Sequence, residues 1–193
     1  MVRLLQTNDL CDQEFFKKPT EDSHCGDEQL AVSEMKNNTS DFFQIRSYYH
    51  AETNTRLVYY FVTRVYSELM KEILELDLTK TKPDLIIINS MLYDISPHHY
   101  EDARETFQRN LRRFIMNAKE REIAVIWRSS LPLGQNAYGG FMSAKKVVVD
   151  GAGNSNEIRQ DIPNMNKKAK EICKELEVDY LDIYQNFFEI GMG

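Results

Sequence analysis

The chain has 193 residues, a formal net charge of −6, and is 28 % charged and 42 % hydrophobic. A chain of that size is expected as one domain and buries about two-thirds of its unfolded surface, so it needs no disulfide or metal staple. The acidic balance speaks against a nucleic-acid partner, because neutralising phosphates takes clustered Lys and Arg.

The largest basic cluster, Lys167, Lys168 and Lys170, falls in a helical pattern and reads as a solvated helix face. The three cysteines, Cys11, Cys25 and Cys173, lack metal-ligand spacing, and Cys173 lies on an apolar helical face as a small buried hydrophobe. No apolar run approaches the roughly 18 residues of a membrane helix, and no signal peptide is read at the start, so a cytoplasmic protein without membrane insertion is expected. Asn37-Asn38-Thr39-Ser40 holds overlapping sequons and reads as a turn.

In chain order, residues 1–40 are the irregular part, and residues 41–193 form an α/β core. "KKPTEDSHCGDE" is polar, holds Pro19 and Gly26, and reads as loop. "FFQIRSYYH" and "RLVYYFV" are rich in aromatic and β-branched residues and read as adjacent strands across the polar "AETN". "TRVYSELMKEILELDL" repeats Val65, Leu69, Ile73 and Leu76 at helical spacing. "KPDLIIIN" reads as a strand buried on both faces.

The next helix carries the stripe Ala103, Phe107, Leu111, Phe114 and Ala118, and "IAVIW" follows as a buried strand. "DIPNMNKKAKEICKELE" is a helix with Pro163 in its first turn and the stripe Met165, Ala169, Ile172, Cys173 and Leu176. "VDYLDIY" is the last strand. Strands alternating with helices over residues 56–184 predict a mostly parallel sheet with helices on both faces. Ligands of such sheets sit outside the carboxyl ends of the strands. Asn89-Ser90, Arg128-Ser129-Ser130 and Tyr184-Gln185-Asn186 fall there.

Each candidate has two readings. The Asn89 amide either donates to a developing oxyanion or forms a turn with its own backbone, and spacing alone favours the turn. Ser90 needs a base and an orienter to be a nucleophile. It lacks the glycines of a GxSxG elbow, and His98 and His99 read as the surface start of the next helix. Asp94 closes the "NSMLYD" run.

Arg64 is placed at a helix start, where the dipole disfavours a cation, so it asks for an anionic or carbonyl partner. "LPLGQNAYGGF", with Gly134, Gly139 and Gly140, is either a substrate-covering loop or a plain connection. It has no helix-opening GxGxxG or GKS pattern, so a flavin or nucleotide is not indicated and no cofactor is expected. Gly26-Asp27-Glu28 has a glutamate where a Gly-Asp-Ser block has serine, and reads as a polar turn.

Together "YYFVTRVYSE", "PDLIIINSMLYDIS", "YEDARETFQRNL" and "LPLG…GGF" resemble the PC-esterase domain-containing protein 1 family, a branch of the GDSL/SGNH-like hydrolases. The resemblance implies a single three-layer, flavodoxin-like (SGNH-hydrolase-like) α/β domain over residues 1–193, with an acyl-ester small molecule as substrate. It implies serine-esterase chemistry: a Gly-Asp-Ser nucleophile after the first strand, an Asp-x-x-His block after the last, and an asparagine at the oxyanion. Here only the middle-strand block, centred on Asn89 and Ser90, stands at a catalytic position. Arg64, Asp94, Arg128, Gly134, Gly139 and Gly140 would line the rim.

Neither Gly-Asp-Ser nor Asp-x-x-His occurs among the 193 residues. The resemblance therefore places both blocks, and the first central strand, outside the chain as read, and implies that the chain alone is inactive. The alternative is a non-catalytic binding or interaction module. Protein partners are not readable from the residues.

Overall fold

A computed structural model of the chain describes residues 26–33, 43–77, 80–95, 102–132 and 155–189. They fall in two compact units, Met1–Thr63 and Arg64–Gly193.

The first unit is an antiparallel sheet of β1 (Glu28–Val32), β2 (Gln44–His50) and β3 (Thr55–Phe61), in that order. Aromatic and β-branched residues give β2 and β3 their strand preference. Their turn closes at Asn54, whose φ of 49° is a left-handed conformation that Asn tolerates. The Tyr49 hydroxyl donates to Asn54 Oδ1 at 2.8 Å and ties the turn to β2.

β1 lies inside the segment read as irregular, and this corrects that reading. Its residues carry little strand preference; pairing with β2 supplies it, across an irregularity between Gln29 and Ala31. Arg46 of β2 reaches Asp27 through Nε at 2.6 Å and Nη2 at 2.9 Å, with both side chains nearly out of water. A bidentate pair of this kind fixes register as well as adding energy. Gly26 turns the chain into β1 at φ 81°, so the Gly26-Asp27 motif serves a structural turn and a salt bridge. Because β3 pairs antiparallel with β2, it does not join the parallel sheet, which corrects the alternation read from residue 56.

The second unit carries the parallel sheet: β4 (Leu85–Ile88), β5 (Ala124–Arg128) and β6 (Asp179–Leu181), in the order β4-β5-β6. Its helices are α1 (Glu68–Glu72, continuing as a π turn over Ile73–Asp77), α2 (Ala103–Glu120), α3 (Ser155–Glu175) and α4 (Ile183–Glu189). The α/β class with a parallel sheet and flanking helices thus stands, while the described crossover helices cover one face of that sheet where both were expected.

Sequential strands joined by right-handed crossovers put successive helices on one face. Accordingly α2 and α3 pack on each other and on the face of Ile88, Val125 and Trp127. The α2 stripe of Ala103, Phe107, Leu111, Phe114 and Ala118 is buried as the periodicity predicts. Phe107 meets Trp127 edge-on at 5.8 Å between ring centroids. The opposite face keeps Leu85 44 %, Ile87 49 % and Leu181 44 % exposed. "LIII" is therefore buried on one face, not both, because the described crossover helices lie on one side only.

α2 and α3 end alike. Glu122 (φ 55°) and Glu177 (φ 53°) take the left-handed position after each helix. Ile123 N–H then donates to Ala118 O, and Val178 N–H to Cys173 O, closing the free carbonyls before the next strand. α3 begins at Ser155, so Pro163 lies inside it and not in its first turn. The proline removes one helical hydrogen bond. The buried stripe of Ile162, Met165, Ala169, Ile172 and Cys173 holds the helix across it.

α1 begins at Glu68, where the Ser67 side chain caps it by accepting from Met70 N at 3.1 Å. Arg64 therefore sits in the bend before the helix, not at its start. Val65 and Ile73 of the predicted stripe are buried, but on α1 the buried face runs through Met70, Ile73 and Leu74, and Leu69 is half-exposed. "DIY" also departs from the reading: the strand stops at Leu181, and Ile183-Tyr184 open α4.

Lys167, Lys168 and Lys170 lie on an exposed face, as expected. Cys173 is fully buried, and burial pushes its thiol up to about 11. Iodoacetamide at pH 8 is expected to leave Cys173 unmodified in the native chain and to alkylate it in urea, because the thiolate is the nucleophile. Peptide mapping after each treatment checks this; native labelling at the denatured rate would contradict the packing of α3.

Candidate functional site: the carboxyl rim of the parallel sheet

β4 ends at Ile88, and the chain leaves the sheet through Asn89, Ser90 and a tight turn to Ile95. Met91 holds the turn at φ 115°, a costly conformation for a side chain with a Cβ. Two bonds fix it: Met91 N–H donates to Asp94 Oδ2 at 3.1 Å, and Ile95 N–H donates to Met91 O at 2.8 Å. The Met91 side chain is fully buried beneath.

Asp94 is the hub of this turn. Its Oδ2 accepts from the Ser90 hydroxyl, from Met91 N–H, and from Val65 N–H at 3.4 Å. Burial raises the Asp94 carboxyl above the usual aspartate value, against the lowering pull of those three bonds and of the Arg64 charge. The Ser90 proton thus faces a buried carboxylate. Among the described residues of this unit there is no histidine to serve as a base.

Asn89 is half-buried and points across the sheet. Its Nδ2 donates to Arg128 O at 2.8 Å and to Ser130 Oγ at 3.1 Å. Both amide protons are therefore engaged with the end of β5. The Ser130 hydroxyl in turn donates to Ser90 O at 3.1 Å. Ser129 joins the third strand: its N–H donates to Leu181 O at 3.0 Å, and its Oγ accepts from Tyr184 N at 2.8 Å.

A residue the sequence reading missed completes the rim. Asn166, on α3 and 5 % exposed, accepts from Ser130 N–H at its Oδ1 and donates from Nδ2 to Ser130 O, both at 2.9 Å. Its signal was present in the sequence: position 166 falls on the apolar stripe of α3, between Met165 and Ala169, where a polar side chain demands partners.

The fold thus brings Asn89, Ser90, Asp94 and Arg128 together with Ser129, Ser130 and Asn166. Arg64 stands within electrostatic reach of Asp94. Gly134, Gly139 and Gly140, with His98 and His99, lie outside the described residues. No group of His, Cys, Asp and Glu able to hold a metal ion is present among the described residues, and no described helix is long and apolar enough to cross a membrane.

No family model matches the chain. Among curated proteins it is 28 % identical over 193 residues to PC-esterase domain-containing protein 1A of Homo sapiens and to that of Mus musculus, covering 97 % of this chain and 41 % of each relative. It thus spans less than half the length of those relatives. Among solved structures it is similar to a GDSL-like lipase of Bacteroides thetaiotaomicron, with a TM-score of 0.48 and 19 % identity over 64 % of this chain and 53 % of that one. Along nearly its whole length the chain resembles the PC-esterase domain-containing protein 1 family, the resemblance its own motifs carry.

Proposed function

We propose that this chain is a PC-esterase-type α/β scaffold whose carboxyl rim, around Asn89 and Ser90, faces an acyl-ester small molecule, and that these 193 residues alone do not turn the ester over. The supporting observation is the similarity along 97 % of the chain to PC-esterase domain-containing protein 1A. The rim adds chemical support, because polar groups converge where parallel sheets take ligands.

Ser90 is not the nucleophile in this reading. Its proton is held by a buried carboxylate, and a serine needs a positioned base with a free path to substrate. With no Gly-Asp-Ser and no Asp-x-x-His among these residues, the attacking oxygen and its base are both lacking.

A second reading, a non-catalytic binding module, is favoured by one specific observation. The hydrogen-bonding capacity of the Asn89 amide protons is spent inside the fold, leaving none for an oxyanion in this arrangement.

A 4-nitrophenyl acetate assay on the 193-residue chain, with a fluorophosphonate probe alongside, tests the proposal. No turnover above the buffer rate and no probe on Ser90 are expected. Probe attached to Ser90, with loss of measurable hydrolysis, would overturn it.

A further inference from the structure

The rim contains a side-chain arrangement that goes beyond esterase chemistry. Asn166 meets the Ser130 main chain as one β-strand residue meets another, giving one bond and taking one. Among the described residues no strand pairs with Ser130 there, since the residues aligned with β5 in β6 end at Leu181, opposite Arg128. Helix α3 thus supplies through a side chain the pairing that the sheet no longer supplies. The Tyr180 hydroxyl donates to Asn166 O at 3.2 Å, which pins the same turn of α3 to β6.

The consequence passes through Ser130. With its N–H and C=O both held, Ser130 has a fixed backbone, and its hydroxyl is aimed at β4. There it accepts from Asn89 Nδ2 and donates to Ser90 O. Each member of the chain is at least half-buried, where an unmet donor or acceptor is expensive and a complete network is rigid.

We propose that Asn166 is the positioning residue of this rim: by holding the Ser130 backbone, it sets the orientation of the Asn89 amide and of the main chain at Ser90, without touching a ligand itself. This deepens the rim reading above and rests on it for what the rim is for. The test needs no turnover, so an absence of esterase activity leaves its result standing.

The measurement is hydrogen exchange by NMR on the whole chain, following the Asn89 side-chain amide, the Ser130 N–H and the backbone amides of α2. In Asn166→Ala, Ser130 N–H and Asn89 Nδ2 are both expected to exchange faster by about tenfold, the factor for loss of one net hydrogen bond, while α2 keeps its protection. Asn166→Ser is the second variant. Its neutral side chain buries no charge, but its single short hydroxyl cannot meet both Ser130 N–H and Ser130 O, so Asn89 is expected to loosen with the fold intact.

Unchanged Asn89 exchange in both variants would overturn the proposal. So would an Asn89 change that only tracks α2 in both, since that marks global loosening and not positioning. Asn166→Gln, which keeps the amide but displaces it by one methylene, is expected to leave Asn89 looser than in the wild type; full protection in that variant would also count against the assignment.

Discussion

Replacing Trp127 with alanine is expected to cost about 3–5 kcal/mol of folding stability, measured as a lower urea midpoint at unchanged slope. Trp127 is 1 % exposed at the centre of the parallel sheet, aligned with Ile88 on one side and Tyr180 on the other. Phe107 of α2 packs edge-on against its ring, so one substitution empties the junction of sheet and helix layer. Small domains hold only about 5–15 kcal/mol in total, so the variant stands near the edge of folding. A loss below about 1 kcal/mol would mean that the α2 layer does not depend on this contact.

The second large effect is at Asp94. Asp94→Ala strips the acceptor from Val65 N–H and Met91 N–H and from the Ser90 hydroxyl, all in a buried turn. With two orphaned N–H groups at about 1–3 kcal/mol each, a loss of about 2–5 kcal/mol is expected in urea denaturation. Asp94→Asn behaves differently, because all three donors meet one oxygen. An amide with its carbonyl in the Oδ2 position keeps every bond without a buried charge.

The pH dependence separates the two forms. Burial favours the neutral acid, so the folded chain holds this proton more tightly than the unfolded chain does. Wild-type stability relative to Asp94→Asn should therefore fall as pH rises from the ordinary aspartate value through the raised folded value, and stay level above it. Urea midpoints of the two proteins across that window measure the difference. A wild type that gains on Asp94→Asn with rising pH would show that the three hydrogen bonds outweigh burial.

Much of the second unit is legible in the sequence. The α2 stripe repeats along the whole helix, and the short apolar runs of β4 and β5 read as strands because they are set between such helical patterns. β5 and the stripe of α3 follow from the same signal. Where the sequence misled, competing local physics explains it. "EQLAV" has no strand signature of its own; β2 and the Asp27–Arg46 pair make it a strand. Pro163 looked like a helix opener because Pro is favoured there, but α3 begins earlier, at Ser155, and runs through it.

The site was legible in position and not in wiring. Strand ends at Asn89 and Arg128 could be read from where the apolar runs stop. That Asn89 bonds across to β5, and that Ser90 turns inward to Asp94, depends on partners some 40 residues or a tight turn away. Asn166 shows the limit most clearly: it broke the apolar stripe of α3, yet only the geometry names its partner as the backbone of Ser130.

The Asn166–Ser130 pair also bears on the order in which the chain is made. β4, β5 and β6 pair in chain order, so a ribosome delivers β4, α2 and β5 before any of α3 exists. At that stage the side chain that bonds the Ser130 N–H and C=O has not yet been made. Emergence of α3 closes both bonds at once, but only if the helix lies down in the register that brings position 166 over position 130. A helix shifted by one turn would bury Ser130 with nothing to bond, at a cost of several kcal/mol. One amide thereby ties the register of α3 to the end of β5.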